Sequence, residues 1–240
     1  MADVEIGPVP GGSARLSGYL ARPVGEGPWP GVVAVHEAWG LDPVMRRAAD
    51  RLATMGYLTF APDLYSDGGT RRCMVSTMRA LGRGSGKPFA DLEAAQTWVR
   101  DRADCTGRVG VIGFCMGGGF ALLSAPRGFD AASVNYGVLP RRRGRRLDDE
   151  LVGACPIVAS YGRRDIANIG VAAKLEKTLE RLGIEHDVKE YRSAGHSFLN
   201  DSMTGPRVLR PLLYVSGFRP DPVTAEDAWG RIDAFFAEHL

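Results

Sequence analysis

The chain has 240 residues, a formal net charge of +2 and a pI near 8.4, a balance too weak to make nucleic acid its partner. Hydrophobic residues at 45% and charged residues at 24% are those of a globular protein with a real core, and the length fits one α/β domain over 1–240. No apolar run approaches the roughly 18 residues of a membrane span, and Met1 to Pro10 carries two acids and no apolar leader core, so the expectation is a cytoplasmic protein with no membrane partner.

In chain order, Val4–Ile6 and Arg15–Arg22 read as an antiparallel pair around a Gly-Gly turn. Gly31–His36 is a continuous apolar run, the signature of a strand buried on both faces. Asp42 before Pro43 predicts a helix start, and Gly56 the stop after about Met55. Tyr57–Ala61 is the next strand, and a short helix is expected around Cys73–Leu81 within a polar, Gly-rich stretch. Then come a helix at Ala90–Arg102, a strand at Arg108–Phe114, a helix at Met116–Ser124, and strands at Ala131–Tyr136 and Pro156–Tyr161. The chain closes with a helix at Gly170–Leu182, a strand at His186–Tyr191 and a helix at Thr224–Leu240. The basic run Arg141, Arg142, Arg143, Arg145 and Arg146 reads as a solvated loop. Strands that alternate with helices predict an α/β fold, with a mostly parallel central sheet and helices on both faces. In such sheets ligands bind beyond the carboxyl ends of the strands, so chemistry is sought just after each strand.

The segment Gly113-Phe114-Cys115-Met116-Gly117 runs from a strand into a helix. It has the shape of the Gly-x-Ser-x-Gly nucleophile elbow, with Cys in place of Ser. The turn is so tight that side chains at either flank would strike backbone, which is why glycine stands at both. Cys115 would then sit at a helix N-terminus, which favours the thiolate. Cys73, Cys105 and Cys155 have no such context; Cys105 falls in a helix-to-strand loop. All four are expected to be free thiols, since a chain this size needs no disulfide staples.

A thiol nucleophile needs a base, and the base an orienting group. Of the four histidines, His239 adjoins the C-terminus and His186 opens a strand at its wrong end. His36 ends a core strand at the correct end and stays open as a candidate. His196 lies in a loop just after a strand, from which an imidazole can reach over the elbow. Asp165 follows the strand Pro156–Tyr161. The order Cys115, Asp165, His196 is the nucleophile–acid–base order of α/β-hydrolases. The loop His36-Glu37-Ala38-Trp39-Gly40 follows the first core strand. In this arrangement Ala38 and Met116 would supply the oxyanion-hole N–H groups, and Glu37 is an acid near the thiol.

Together these pieces resemble the dienelactone hydrolase family. The resemblance rests on Pro28-Trp29-Pro30-Gly31-Val32-Val33 with His36-Glu37, Ala61-Pro62-Asp63-Leu64-Tyr65, Gly113-Phe114-Cys115-Met116-Gly117-Gly118, Gly162 with Asp165, and Ala194-Gly195-His196-Ser197-Phe198. It spans Pro28 to Phe198 in the family's order. It implies a single-domain α/β-hydrolase with no metal or organic cofactor, and a Cys–His–Asp triad acting on a small-molecule ester, lactone or thioester. It also implies that Glu37 interacts with the resting thiol until substrate displaces it. Family members that cleave dienelactone carry an arginine four residues after the histidine; here that position is Asn200. Arg71, Arg72 and Arg79 are candidates for a second carboxylate-binding arginine. The expected substrate-binding set is completed by Trp39, and by Tyr214 and Phe218 in the Pro-rich segment 205–222, read as a cap.

Two other cysteine-elbow classes are disfavoured. Class I glutamine amidotransferases have Glu two residues after the base, where this chain has Phe198; the intracellular peptidase and glyoxalase type has His directly after the cysteine, where Met116 stands. A catalytically reduced hydrolase-fold protein that binds a ligand or partner is the remaining alternative, and the filled triad argues against it.

Overall fold

The computed structural model describes residues 1–139 and 146–240. Four of the five clustered arginines, Arg141, Arg142, Arg143 and Arg145, therefore lie outside the described residues. Arg146 is exposed and pairs with Asp148 at 3.0 Å.

The opening strands β1 (Ala2–Gly7) and β2 (Leu16–Ala21) pair antiparallel, as the Gly-Gly turn predicts. β3 (Trp29–Val35) sits at the centre of an eight-stranded sheet, between β4 (Leu58–Pro62) and β5 (Cys105–Phe114). β6 (Ala132–Asn135), β7 (Ile157–Gly162) and β8 (His186–Tyr191) complete the order β1-β2-β4-β3-β5-β6-β7-β8. From β4 to β8 every pairing is parallel, while β1 and β2 form an antiparallel edge.

Both faces of β3 are covered. Val33 and Val35 point into one apolar layer, and Val32 and Ala34 into the other, the period-two alternation of a strand without a solvent face. Helices α1 (Pro43–Thr54) and α8 (Pro222–His239) build one layer. Helices α2 (Gly69–Arg83), α3 (Lys87–Arg100), α4 (Met116–Ser124), α5 (Leu147–Leu151) and α6 (Val171–Leu182) lie on the other. α1 begins as predicted: the Asp42 carboxylate accepts from the N–H groups of Val44 and Met45, and Pro43 needs no partner at the first position.

Two expectations need correction. α2 starts at Gly69 rather than near Cys73, because its N-cap is Gly68, which has no side chain to announce it. Cys105 opens β5 rather than lying in a loop, pairing with Trp29. Segment 205–222 is partly helical, with α7 at Arg210–Val215. All four cysteines are free, and among the described residues no helix is long and apolar enough to cross a membrane.

Candidate active site

β5 delivers its last residue, Phe114, to a turn at Cys115, and α4 starts one residue later. Cys115 adopts φ 55° and ψ −114°, a region that residues with a Cβ occupy at a cost of about 1–3 kcal/mol. The Cys115 N–H donates to the Asn135 carbonyl at 3.0 Å, tying the turn to β6. The flanking glycines are obligatory. A Cβ on Gly113 would fall 1.9 Å from the Gly117 carbonyl oxygen, and one on Gly117 would fall 2.2 Å from that of Val35. The thiol thus stands above the sheet, half-buried, at the N-terminus of α4.

β7 and β8 bring the other two triad candidates to the same end of the sheet. Asp165 follows β7, and His196 follows β8. A Cβ on Gly162 would lie 2.5 Å from the Gly195 carbonyl oxygen, so glycine at 162 lets the two loops cross in contact. His196 Nδ1 lies 2.6 Å from Asp165 Oδ2. The Asp165 carboxylate also accepts from the Ala167 N–H at 3.0 Å and from Asn168 Nδ2 at 2.7 Å. Asn168 in turn donates to the Tyr136 carbonyl at 3.0 Å, which fixes the acid against the end of β6.

His196 Nε2 is buried and has no hydrogen-bond partner among the described residues. Burial by itself would depress this imidazole, but the neighbouring Cys115 sulfur and the Asp165 carboxylate outweigh it and hold His196 well above the ordinary histidine range. The ring is stacked between Phe218, at 4.4 Å, and Tyr136, at 5.1 Å.

His36, the rival histidine, is a structural residue. Its Nδ1 lies 2.7 Å from the Glu37 carbonyl, and its Nε2 accepts from the Leu64 N–H at 3.1 Å. Both nitrogens are thereby used, and the ring ties the loop after β3 to the loop after β4. Burial holds it below the ordinary range, so it is neutral.

The loop after β3 brings Ala38 beside the elbow. Tyr65 Oη donates to the Ala38 carbonyl at 2.9 Å and approaches Met116 Sδ at 3.6 Å, linking the two expected oxyanion-hole residues. Met116 opens α4, so its N–H has no carbonyl one turn back to bond to.

Glu37 is buried, and its oxygens bond elsewhere than the resemblance implies. They accept from Ser197 Oγ at 2.9 Å, Asn200 Nδ2 at 3.0 Å and Thr204 Oγ1 at 2.7 Å. Asn200 is turned inward as well: Tyr136 Oη donates to its Oδ1 at 3.1 Å. Its direct contact is therefore Glu37 and Tyr136 rather than open pocket.

The other expected substrate-binding residues divide into two groups. Phe218 packs on His196, and its backbone pairs with that of His196. Trp39 lies under the start of segment 205–222, where a Cβ on Gly205 would fall 2.8 Å from its ring. Arg71, Arg72, Arg79 and Tyr214 are exposed, and none of them hydrogen-bonds to a triad residue. Sequence reasoning missed Tyr136, Asn168, Ser197 and Thr204. Tyr136 directly follows β6, and a strict reading of the carboxyl-end rule points to it.

The whole of 16–240 matches the model of the dienelactone hydrolase family. The chain belongs to the dienelactone hydrolase family. It is 31% identical over 238 residues to protein usf of Aquifex pyrophilus, covering 94% of each chain. It is 28% identical over 202 residues to a carboxymethylenebutenolidase of Pseudomonas putida, covering 78% of this chain and 83% of that one. A dienelactone hydrolase-like promiscuous phosphotriesterase from metagenomic libraries superposes with a TM-score of 0.78 at 22% identity, over 99% of this chain and 98% of that one. That likeness establishes the α/β-hydrolase fold. Dienelactone hydrolase family members are hydrolases, and this chain is an enzyme of that ester- and lactone-cleaving kind.

Proposed function

We propose that this family member cleaves a carboxylic ester, lactone or thioester through an acyl-enzyme on Cys115. The observation that carries the proposal is the buried Asp165–His196 pair, held at 2.6 Å with His196 Nε2 unpartnered beside the elbow cysteine. A relative named for cleaving carboxymethylenebutenolide supports the lactone class.

The chemistry follows from the side chains and water. His196 Nε2 takes the thiol proton as Cys115 Sγ attacks the carbonyl carbon. Negative charge gathers on the former carbonyl oxygen, where the Ala38 and Met116 N–H groups receive it. The carbon–oxygen or carbon–sulfur bond to the leaving group breaks, and His196 returns the proton to that group. Water then attacks the thioester, giving its proton to His196, and the acid departs as Cys115 regains the thiol. Asp165 keeps Nδ1 protonated and Nε2 facing the thiol throughout. The four free cysteines support a reducing compartment such as the cytoplasm.

A panel of aryl esters, lactones and thioesters tests this reading, with intact-mass detection of the acyl-enzyme. The expected result is turnover of at least one class and an acyl adduct that maps to Cys115. Turnover that survives in Cys115→Ala removes the proposal.

A further inference from the structure

A buried carboxylate beside a nucleophilic thiol has two places to find hydrogen bonds: the thiol itself, or other donors. In this chain Glu37, 2% exposed, accepts from three neutral donors. All three come from 197–204, the stretch that follows the base. Asn200 is locked in the donating sense, because its Oδ1 accepts from Tyr136 Oη. Ser197 holds φ 60°, a left-handed conformation that costs energy outside glycine. These bonds take up three of the carboxylate's roughly four acceptor positions and hold it toward 197–204.

His196 after β8, Tyr136 after β6 and Tyr65 after β4 lie close enough to Cys115 to feel its charge, Asp165 stands behind His196, and Glu37 after β3 lies beside Tyr136. Burial pushes both tyrosines up, out of reach as bases near neutral pH. Only His196 and Glu37 can therefore compete for the thiol proton. We propose that Ser197, Asn200 and Thr204 are positioning residues that clamp Glu37 away from Cys115, so that the resting thiol is left to His196, whose Nε2 has no other partner among the described residues, and is reactive before any substrate binds. This rests on the reading of Cys115 as nucleophile. It departs from the arrangement in which substrate must first displace the glutamate. An unclamped Glu37 would accept a hydrogen bond from the thiol and would oppose the thiolate by like charge, and both effects would suppress reactivity.

Alkylation of the substrate-free protein by iodoacetamide, followed by peptide mass spectrometry over a range of pH, reads this directly. Wild type should show one fast-reacting cysteine, Cys115, far faster than Cys155, whose thiol burial pushes up to about 12. Thr204→Val should move the alkylation midpoint to higher pH and slow the reaction about tenfold near neutrality, the effect of a one-unit rise. Ser197→Ala, which removes a different donor, should act in the same direction. Thr204→Ser keeps the hydroxyl and should restore the wild-type profile, which a merely structural loss would not predict. The clamp is overturned if Thr204→Val and Ser197→Ala alkylate like wild type at every pH, or if wild-type Cys115 reacts no faster than Cys155. Fast labelling that persists in Cys115→Ala would instead remove the nucleophile reading.

Discussion

Nδ1 of His196 lies 2.6 Å from Oδ2 of Asp165, and both side chains are shut off from solvent. A buried acid in that position fixes the imidazole's tautomer and stabilises its cation. Asp165→Asn should therefore lower kcat by about 10³–10⁴-fold while the protein stays folded. Steady-state kinetics on an aryl ester checks this; a loss below tenfold would mean Asp165 is only a turn residue.

Asn168 extends the same argument one residue outward. It holds Asp165 Oδ2 at 2.7 Å and the Tyr136 carbonyl at 3.0 Å. Asn168→Ala leaves the triad present but loosely held, and should cost about 10- to 100-fold in kcat with little change in KM. An effect confined to KM would point to substrate contact instead.

The thiol and the imidazole should behave as one unit. Cys115→Ala and His196→Ala are each expected to abolish nearly all turnover, and the double variant to be little worse than either. Measured losses that multiply would show two independent contributions.

The elbow glycines should tolerate no side chain. A Cβ on Gly117 would meet the Val35 carbonyl oxygen at 2.2 Å, and backbone cannot swing aside as a flexible side chain can. Gly117→Ala should destabilise by more than about 4 kcal/mol. Urea titration provides the measurement, and a normal midpoint would show that the turn is not close-packed.

His36 gives the protein an acid-side weakness. Burial keeps its imidazole neutral, below the ordinary range. On acidification the unfolded chain takes up the proton first, near its ordinary value of about 6.5. This contribution is complete above that pH and is lost as pH falls below it. His36→Asn should be less stable by about 2–3 kcal/mol above that pH, from two lost hydrogen bonds. The gap to wild type should then narrow on the acid side. A gap that is constant with pH would show that His36 does not titrate on unfolding.

Much of the scaffold was legible because it is local. Asp42-Pro43 announces a helix start within three residues, and the apolar run of β3 can only be a strand covered twice. Asp165 and His196 were legible because each follows a strand, and topology brings those ends together. What escaped is tertiary. Asn168 and Tyr136 meet across 32 residues, and Thr204 meets Glu37 across 167. No spacing rule encodes such pairs. His36 and His196 look alike as strand-end histidines, and only the groups bonded to their nitrogens separate the structural one from the proposed base. Asn200 read as a missing arginine facing substrate, yet its partners lie inward, a direction that sequence does not carry.

Cys115, Tyr136 and Ser197 are the described non-glycine residues with positive φ, at 55°, 42° and 60°. Cys115 carries the thiol, Tyr136 packs on His196, and Ser197 donates to Glu37. At about 1–3 kcal/mol each, their combined burden is comparable to the net stability of a typical domain, about 5–15 kcal/mol. The rest of the fold must carry that deficit. Glycine at 136 or 197 would relieve the local strain, but at 136 it would empty the buried site of the Tyr136 ring that packs on His196, and at 197 it would remove the hydroxyl that donates to Glu37, so neither exchange is a net gain. The strain therefore cannot be removed without unseating the side chains that hold His196 and Glu37 in place.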